Sequence, residues 1–268
     1  MPKSTCLIRR TLLLTLSAPL VPAAWAQPAA PRVGVVVMHG AGARSTSMAA
    51  FADRLKSQGH LVANLDMPWS NEDAHRTPVE EAEQHVLAQL QELRRRGAQK
   101  VVIAGYSKGG MFGAYMATRT PLDGLVAIAP NGGADQKKLQ DQVALARSLV
   151  AAGKGHEKTL LQDGGVVGDD RYPIPDAVPS SYLTWFDPQG PLNFQRIFRS
   201  QRAGVPVLLV VPTRDLENLV RIKQQVWQGL PPHPGNRLHE PETDHLGAIA
   251  ASTTETLQWI AHVVQKTR

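Results

Sequence analysis

The sequence predicts an α/β fold in three layers, a mostly parallel sheet of about six strands with helices on both faces. Three observations predict it. Short β-branched runs such as Val33-Gly34-Val35-Val36-Val37-Met38 are continuous, as strands buried on both faces are. They alternate with stretches whose apolar residues recur at helical spacing, the rhythm of βα units and parallel pairing. That rhythm breaks once, over residues 131–201, which predicts an insertion, or lid, before the penultimate strand.

Taken in order, residues 1–26 read as an export leader. Lys3, Arg9 and Arg10 make a basic start, residues 11–20 are mostly apolar, and Ala24-Trp25-Ala26 is an A-x-A site that predicts cleavage after Ala26. Pro19 and Pro22 break the apolar run too soon for a spanning helix. The only cysteine, Cys6, precedes that run, so a lipoprotein anchor is not expected. The mature domain is therefore residues 27–268, in a periplasmic or secreted location. Its lack of cysteine excludes disulfides and a thiol nucleophile and leans towards a bacterial periplasm.

After a Pro- and Ala-rich lead-in, the first strand runs into His39-Gly40-Ala41-Gly42-Ala43 and a helix over about 47–57. A second strand, 61–66, is closed by Met67-Pro68-Trp69-Ser70. Thr77-Pro78-Val79-Glu80 has the signature of a capping box with proline at the first helical position, opening a helix to Arg96 that Gly97 stops. Residues 101–104 form the third strand, 110–119 a helix and 125–129 the fourth strand. Within 131–201 the pattern predicts a helix over about 136–152, an irregular stretch bearing Tyr172, Tyr182, Trp185 and Phe186, and a short helix near 192–199. A strand over 205–211, a helix over 216–227, an edge strand over 237–239 and a closing helix over 249–266 complete the fold.

Charge excludes some partners. The whole chain carries +6, and loss of the leader's three basic residues with no acid leaves +3. That is too mild for nucleic acid or an anionic membrane, and no basic block or aromatic-basic interleaving suggests either. No cofactor is expected, since the glycine loop at His39 lacks G-x-G-x-x-G and no P-loop occurs. The remaining histidines, His60, His75, His85, His156, His233, His239 and His262, do not pair at metal-ligand spacing, so no metal is expected.

The chemistry concentrates at Lys100-Val101-Val102-Ile103-Ala104-Gly105-Tyr106-Ser107-Lys108-Gly109-Gly110-Met111. Strand, sharp turn and helix follow one another, the context that a G-x-S-x-G motif needs, and glycines two positions either side of Ser107 remove Cβ atoms that would clash. Ser107 is the candidate nucleophile. A serine hydroxyl needs a base to take its proton, and the base needs an acid to hold its tautomer. Catalytic groups gather at the carboxyl ends of parallel strands, so Asp215, just past the strand over 205–211, is the expected acid, with Asp135 or Glu217 as alternatives. His245, on the loop after the last strand, is the expected base; Asp244 beside it reads as solvated or structural.

The chain resembles the α/β-hydrolase superfamily at the His39-Gly40 loop, the Ser107 elbow, Pro212-Thr213-Arg214-Asp215 and Asp244-His245, in the order Ser, Asp, His. The resemblance covers almost all of the mature chain. It implies that Ser107 attacks a carbonyl carbon, His245 shuttles the proton, Asp215 orients His245, and the backbone N–H groups of Ala41 and Lys108 form an oxyanion hole. It further implies an exported serine hydrolase cleaving a carboxylic ester, or a thioester or amide, of a small to medium substrate. An acyltransferase using the same triad and a non-catalytic periplasmic binding protein are the alternatives. Serine at the elbow argues against haloalkane dehalogenases and epoxide hydrolases, which use aspartate there. The chain departs from the common pattern in lacking two leading strands, which implies a reduced sheet, and in its Met67–Ser70 loop.

His39 is expected to brace its loop rather than react. Lys108 reads equally as a specificity element or as a solvated lysine, and Arg44 as a group to meet an acidic substrate. Trp69, Tyr106 and Trp185 are the expected substrate-binding residues, although aromatics of the insertion, Trp185 among them, also suit its own small core.

Overall fold

The computed structural model describes residues 31–70, 75–134, 136–164 and 170–265. The expected leader, 1–26, and the alternative acid Asp135 lie outside them. Strands β1 (Val33–Met38), β2 (Leu61–Leu65), β3 (Lys100–Tyr106), β4 (Gly124–Ile128), β7 (Val207–Val210) and β8 (Arg237–His239) form one sheet in the order β2-β1-β3-β4-β7-β8. Every ladder in it is parallel. β1, β4 and β7 are buried along their whole length, as strands covered on both faces must be.

The order reverses beside β1. From there β2 lies on one side, and β3 with all later strands on the other. The loops leaving the carboxyl ends of β1 and β3 therefore diverge, which opens a crevice there.

The helices are α1 (Ala49–Ser57), entered through a 3-10 turn at Ser45–Met48, α2 (Val79–Arg95), α3 (Lys108–Arg119), α7 (Glu217–Gly229) and α8 (Ala248–Trp259), which runs into a π turn at Ile260–Val264. α3 starts at Lys108, earlier than the expected residue 110, because the chain enters helical geometry directly from Ser107. The capping box expected at Thr77 is not formed. Pro78 is the N-cap, not the first helical residue. The Val79 N–H donates instead to Thr184 Oγ1 at 3.0 Å, and the Thr77 carbonyl accepts from Trp185 Nε1 at 2.7 Å. Tertiary partners thus replace the local cap.

Those partners belong to the segment between β4 and β7. It holds α4 (Gln140–Ala151), an antiparallel hairpin of β5 (Thr159–Gly164) and β6 (Arg171–Ala177), then α5 (Pro179–Phe186) and α6 (Phe194–Arg199). The hairpin and α5 were not expected. β6 contains Pro173 and Pro175, which a central strand would exclude; each strand of a two-stranded ribbon is an edge and tolerates them. α5 packs its aromatics onto the body, with Trp185 5.9 Å from both Trp69 and Phe112 between ring centroids. Among the described residues no helix is long and apolar enough to cross a membrane.

Candidate active site

Ser107 leaves β3 at φ 52, ψ −117, a conformation that L-residues rarely adopt. The surrounding backbone holds it there. The Ser107 N–H donates to Ile128 O at 2.9 Å, while its carbonyl accepts from Met111 N at 3.0 Å and Asn131 N at 3.1 Å. The flanking glycines are required by close approach. A Cβ on Gly105 would sit 2.1 Å from Gly109 O, and one on Gly109 would sit 2.5 Å from Met38 O.

Asp215 and His245 come from separate loops that are joined edge to edge. Beyond β7 and β8 the chain continues the pairing, with Thr213 N donating to Pro241 O at 3.0 Å, Arg214 N to Thr243 O at 3.1 Å, and an isolated parallel bridge between Arg214 and Asp244. This fixes the separation of the two side chains. His245 Nδ1 lies 2.7 Å from Asp215 Oδ1 and His245 Nε2 3.1 Å from Ser107 Oγ. All three residues are buried. Tyr106 donates its hydroxyl to the His245 carbonyl at 3.1 Å, and its ring lies 5.1 Å from the imidazole. Burial, with Asp215 and Asp244 nearby, pushes the Tyr106 phenol well above its usual range, so it remains a donor. Asp244 accepts from Gly247 N at 2.9 Å and holds the turn after His245, while Glu217 starts α7.

His39 has both ring nitrogens engaged. Nδ1–H donates to Gly40 O at 2.8 Å and Nε2 accepts from Met67 N at 3.0 Å. That pattern requires a neutral ring, and burial lowers its pKa accordingly. The Trp69 indole N–H donates to His39 O at 2.9 Å, and Gly42 N donates to Trp69 O at 2.9 Å. The Met67–Ser70 loop therefore clamps the loop bearing Ala41. Among the described residues the Ala41 N–H donates to no backbone carbonyl. Lys108 is the first residue of α3, and its N–H is one that the helix cannot pair internally.

A cavity of about 370 Å³ opens beside Ala41 and Gly42, with Trp69, Ser70 and His75 on one side and the β5–β6 hairpin, through Asp163, Gly164, Tyr172, Pro173 and Ile174, on the other. Of the expected substrate-binding residues, Trp69 lines it. Tyr106 and Trp185 do not; Trp185 is wholly buried between the body and α5. Arg44 does not line it either.

The reading of Lys108 as solvated is overturned. Its side chain is 2% exposed, with Nζ 3.3 Å from Asp163 Oδ2 and 4.7 Å above the Phe186 ring. The β5 carboxylate and the aromatic face replace the water it gives up. Burial lowers its pKa, and Asp163 opposes that shift. Asp163 and His75 are site residues that sequence reasoning missed. Neither sits in a motif, and only the hairpin, itself unforeseen, brings them together. Among the described residues no group of three His, Cys, Asp or Glu is placed to hold a metal.

Several solved structures share this fold. A DcsB complex with its substrate analogue superposes with a TM-score of 0.66 at 15% identity, covering 88% of this chain and 92% of that one. A structure from a study of LipS and LipT, two metagenome-derived lipolytic enzymes, gives 0.62 at 16% identity, covering 87% and 94%. The monoacylglycerol lipase of Paleococcus ferrophilus gives 0.61 at 20% identity, covering 85% and 94%. No curated protein sequence matches. The family model Hydrolase_4, described as serine aminopeptidase S33, matches residues 29–162, half of the chain. With that match, and a six-stranded parallel sheet flanked by helices, the chain belongs to the Hydrolase_4 family of α/β-hydrolases.

Proposed function

We propose that the protein is a serine hydrolase that cleaves a carboxylic ester of a small to medium substrate through an acyl-enzyme. The observation that carries this reading is His245 bridging Ser107 and Asp215 at 3.1 and 2.7 Å. Ser107 Oγ–H donates to Nε2 and attacks the carbonyl carbon as its proton passes to that nitrogen. The imidazolium, stabilised by Asp215 through Nδ1–H, then gives the proton to the leaving alcohol. Water enters along the same path to release the acid.

In this reading the negative charge on the carbonyl oxygen is met by the N–H groups of Ala41 and Lys108; losing one such donor typically costs about 100-fold or more in rate. The clamp on the Ala41 loop and the start of α3 at Lys108 support this. The segment 131–201 acts as the lid, since its hairpin forms one wall of the cavity. Residues 1–26 are removed on export to the periplasm or beyond, a proposal that rests on the A-x-A site and that the N-terminal sequence of the mature protein tests.

The decisive experiment is labelling with a fluorophosphonate probe, with Ser107→Ala as control. Labelling lost in the variant is the expected result. A well-folded protein that fails to label, and that hydrolyses no ester in a panel of increasing acyl length, would sink the proposal in favour of a binding role.

A further inference from the structure

The cavity has a polar inner wall that the Ser107 relay does not use. His75 lines it, 3% exposed, and neither of its ring nitrogens has a hydrogen-bond partner among the described residues. Buried side-chain nitrogens are seldom left so. The position is held in place all the same. His75 sits at φ 59, its N–H donates to Pro68 O at 2.6 Å, and its ring makes edge contacts with Trp185 at 5.1 Å and Phe186 at 5.0 Å. Asp163 stands beside it with Oδ2 3.6 Å from His75 Nδ1, and Lys108 Nζ approaches the same oxygen to 3.3 Å.

Resting on the esterase reading above, we propose that His75 and Asp163 form a subsite for a hydroxyl group of the substrate, an uncharged ester bearing an alcohol or phenol on the part that enters the cavity. The chemistry selects this class. A neutral imidazole offers one donor and one acceptor, and a carboxylate offers acceptors, which together satisfy a hydroxyl in both of its roles. Burial keeps His75 neutral, lowering its pKa to about 3. A substrate carboxylate would face Asp163. An ammonium would meet a carboxylate whose charge Lys108 already balances. A bare hydrocarbon would leave His75 unsatisfied, a loss of roughly tenfold or more in binding. Ser107, Asp215 and His245 do not line the cavity themselves, but its Ala41 end adjoins the nucleophile's turn. The cavity begins at Ala41, and the preceding Gly40 packs so closely that a Cβ there would lie 3.2 Å from Ser107 Cβ.

The test uses two pairs of esters, each differing by one hydroxyl. Methyl 3-(4-hydroxyphenyl)propionate with methyl 3-phenylpropionate probes the acyl side, and 3-hydroxypropyl butyrate with propyl butyrate the alcohol side. In the wild-type protein at least one hydroxylated member should be favoured by about tenfold or more in kcat/KM. His75→Phe, which keeps a flat ring against Trp185 and Phe186, should bring that ratio to within about twofold. Because the ratio is taken within one protein, a general loss of folded enzyme cancels, and Asp163→Asn provides a second variant with the same expectation. Equal rates within both pairs in a wild-type protein that hydrolyses them would overturn the subsite and leave the esterase reading standing. A preference that survives both substitutions would equally overturn it. Absence of both hydrolysis and fluorophosphonate labelling would remove the two together.

Discussion

His39 and His245, both buried at the crevice, differ in what their nitrogens touch, and that difference supports different roles for them. His39 is closed on backbone at both nitrogens and has no capacity left for a moving proton. His245 meets a hydroxyl on one side and a carboxylate on the other, so a proton arriving at Nε2 is stabilised through Nδ1. If the three side chains act as one unit, Ser107→Ala and His245→Ala should each lower kcat by roughly a thousandfold or more, and the double variant should fall little further. Strictly additive losses in single-turnover kinetics would contradict a shared role. The positions of these residues were legible because each follows a recognisable strand. The state of Lys108 was not. A lysine at a helix start is ordinarily solvated, and its burial is explained by partners far along the chain, the hairpin carboxylate 55 residues away and the Phe186 ring.

At the scale of elements, the elbow between β3 and α3 is held by close backbone approach on both sides of Ser107. Gly109 is packed against the carbonyls of both Met38 and His39, so the turn also fixes how closely α3 approaches the end of β1. Gly109→Ala should therefore displace both Ser107 and the loop bearing Ala41, costing about 1–3 kcal/mol or more in stability and most of the activity. Gly204→Ala, where an added Cβ meets nothing within 4 Å, is the matched control and should leave both nearly unchanged. Thermal melts and ester hydrolysis on the two variants check this, and equal behaviour would mean that the elbow yields. The inner strands β1, β3, β4 and β7 were legible from their apolar runs because burial on both faces leaves so little room for polar residues, whereas the edge strands β2 and β8, only partly buried, were legible from their place in the strand-helix rhythm. The hairpin was not, since Pro173 and Pro175 argue against a strand until its edge position is known. The start of α2 misled for a related reason. Thr184 and Trp185, more than 100 residues on, supply the partners that a local capping box would have provided.

For the whole molecule, the segment between β4 and β7 ties α3 to its own hairpin through a set of buried groups whose charge states depend on pH. His75 has a pKa of about 3 when folded, against the ordinary histidine value of 6.5, because burial penalises its cation and Lys108 repels it. Between those values the unfolded chain binds a proton that the folded chain refuses. The stability that depends on a neutral His75 is therefore fully present above pH 6.5 and is lost as pH falls towards 3. His39 and His60, also lowered by burial, act in the same direction. Asp163 does so as well, since the positive charge of Lys108 holds its pKa below the usual carboxylate value despite burial; its contribution too is lost on acidification. The protein should thus be acid-sensitive in a range where its surface ion pairs contribute little. A single such histidine sets a slope of up to about 1.4 kcal/mol per pH unit. Urea unfolding followed between pH 7 and 4 should show stability falling with acid, and His75→Phe should flatten that slope by up to one proton's worth. An unchanged slope in the variant would mean that His75 takes up its proton while folded, which would also deprive the inner wall of the cavity of its neutral donor and acceptor.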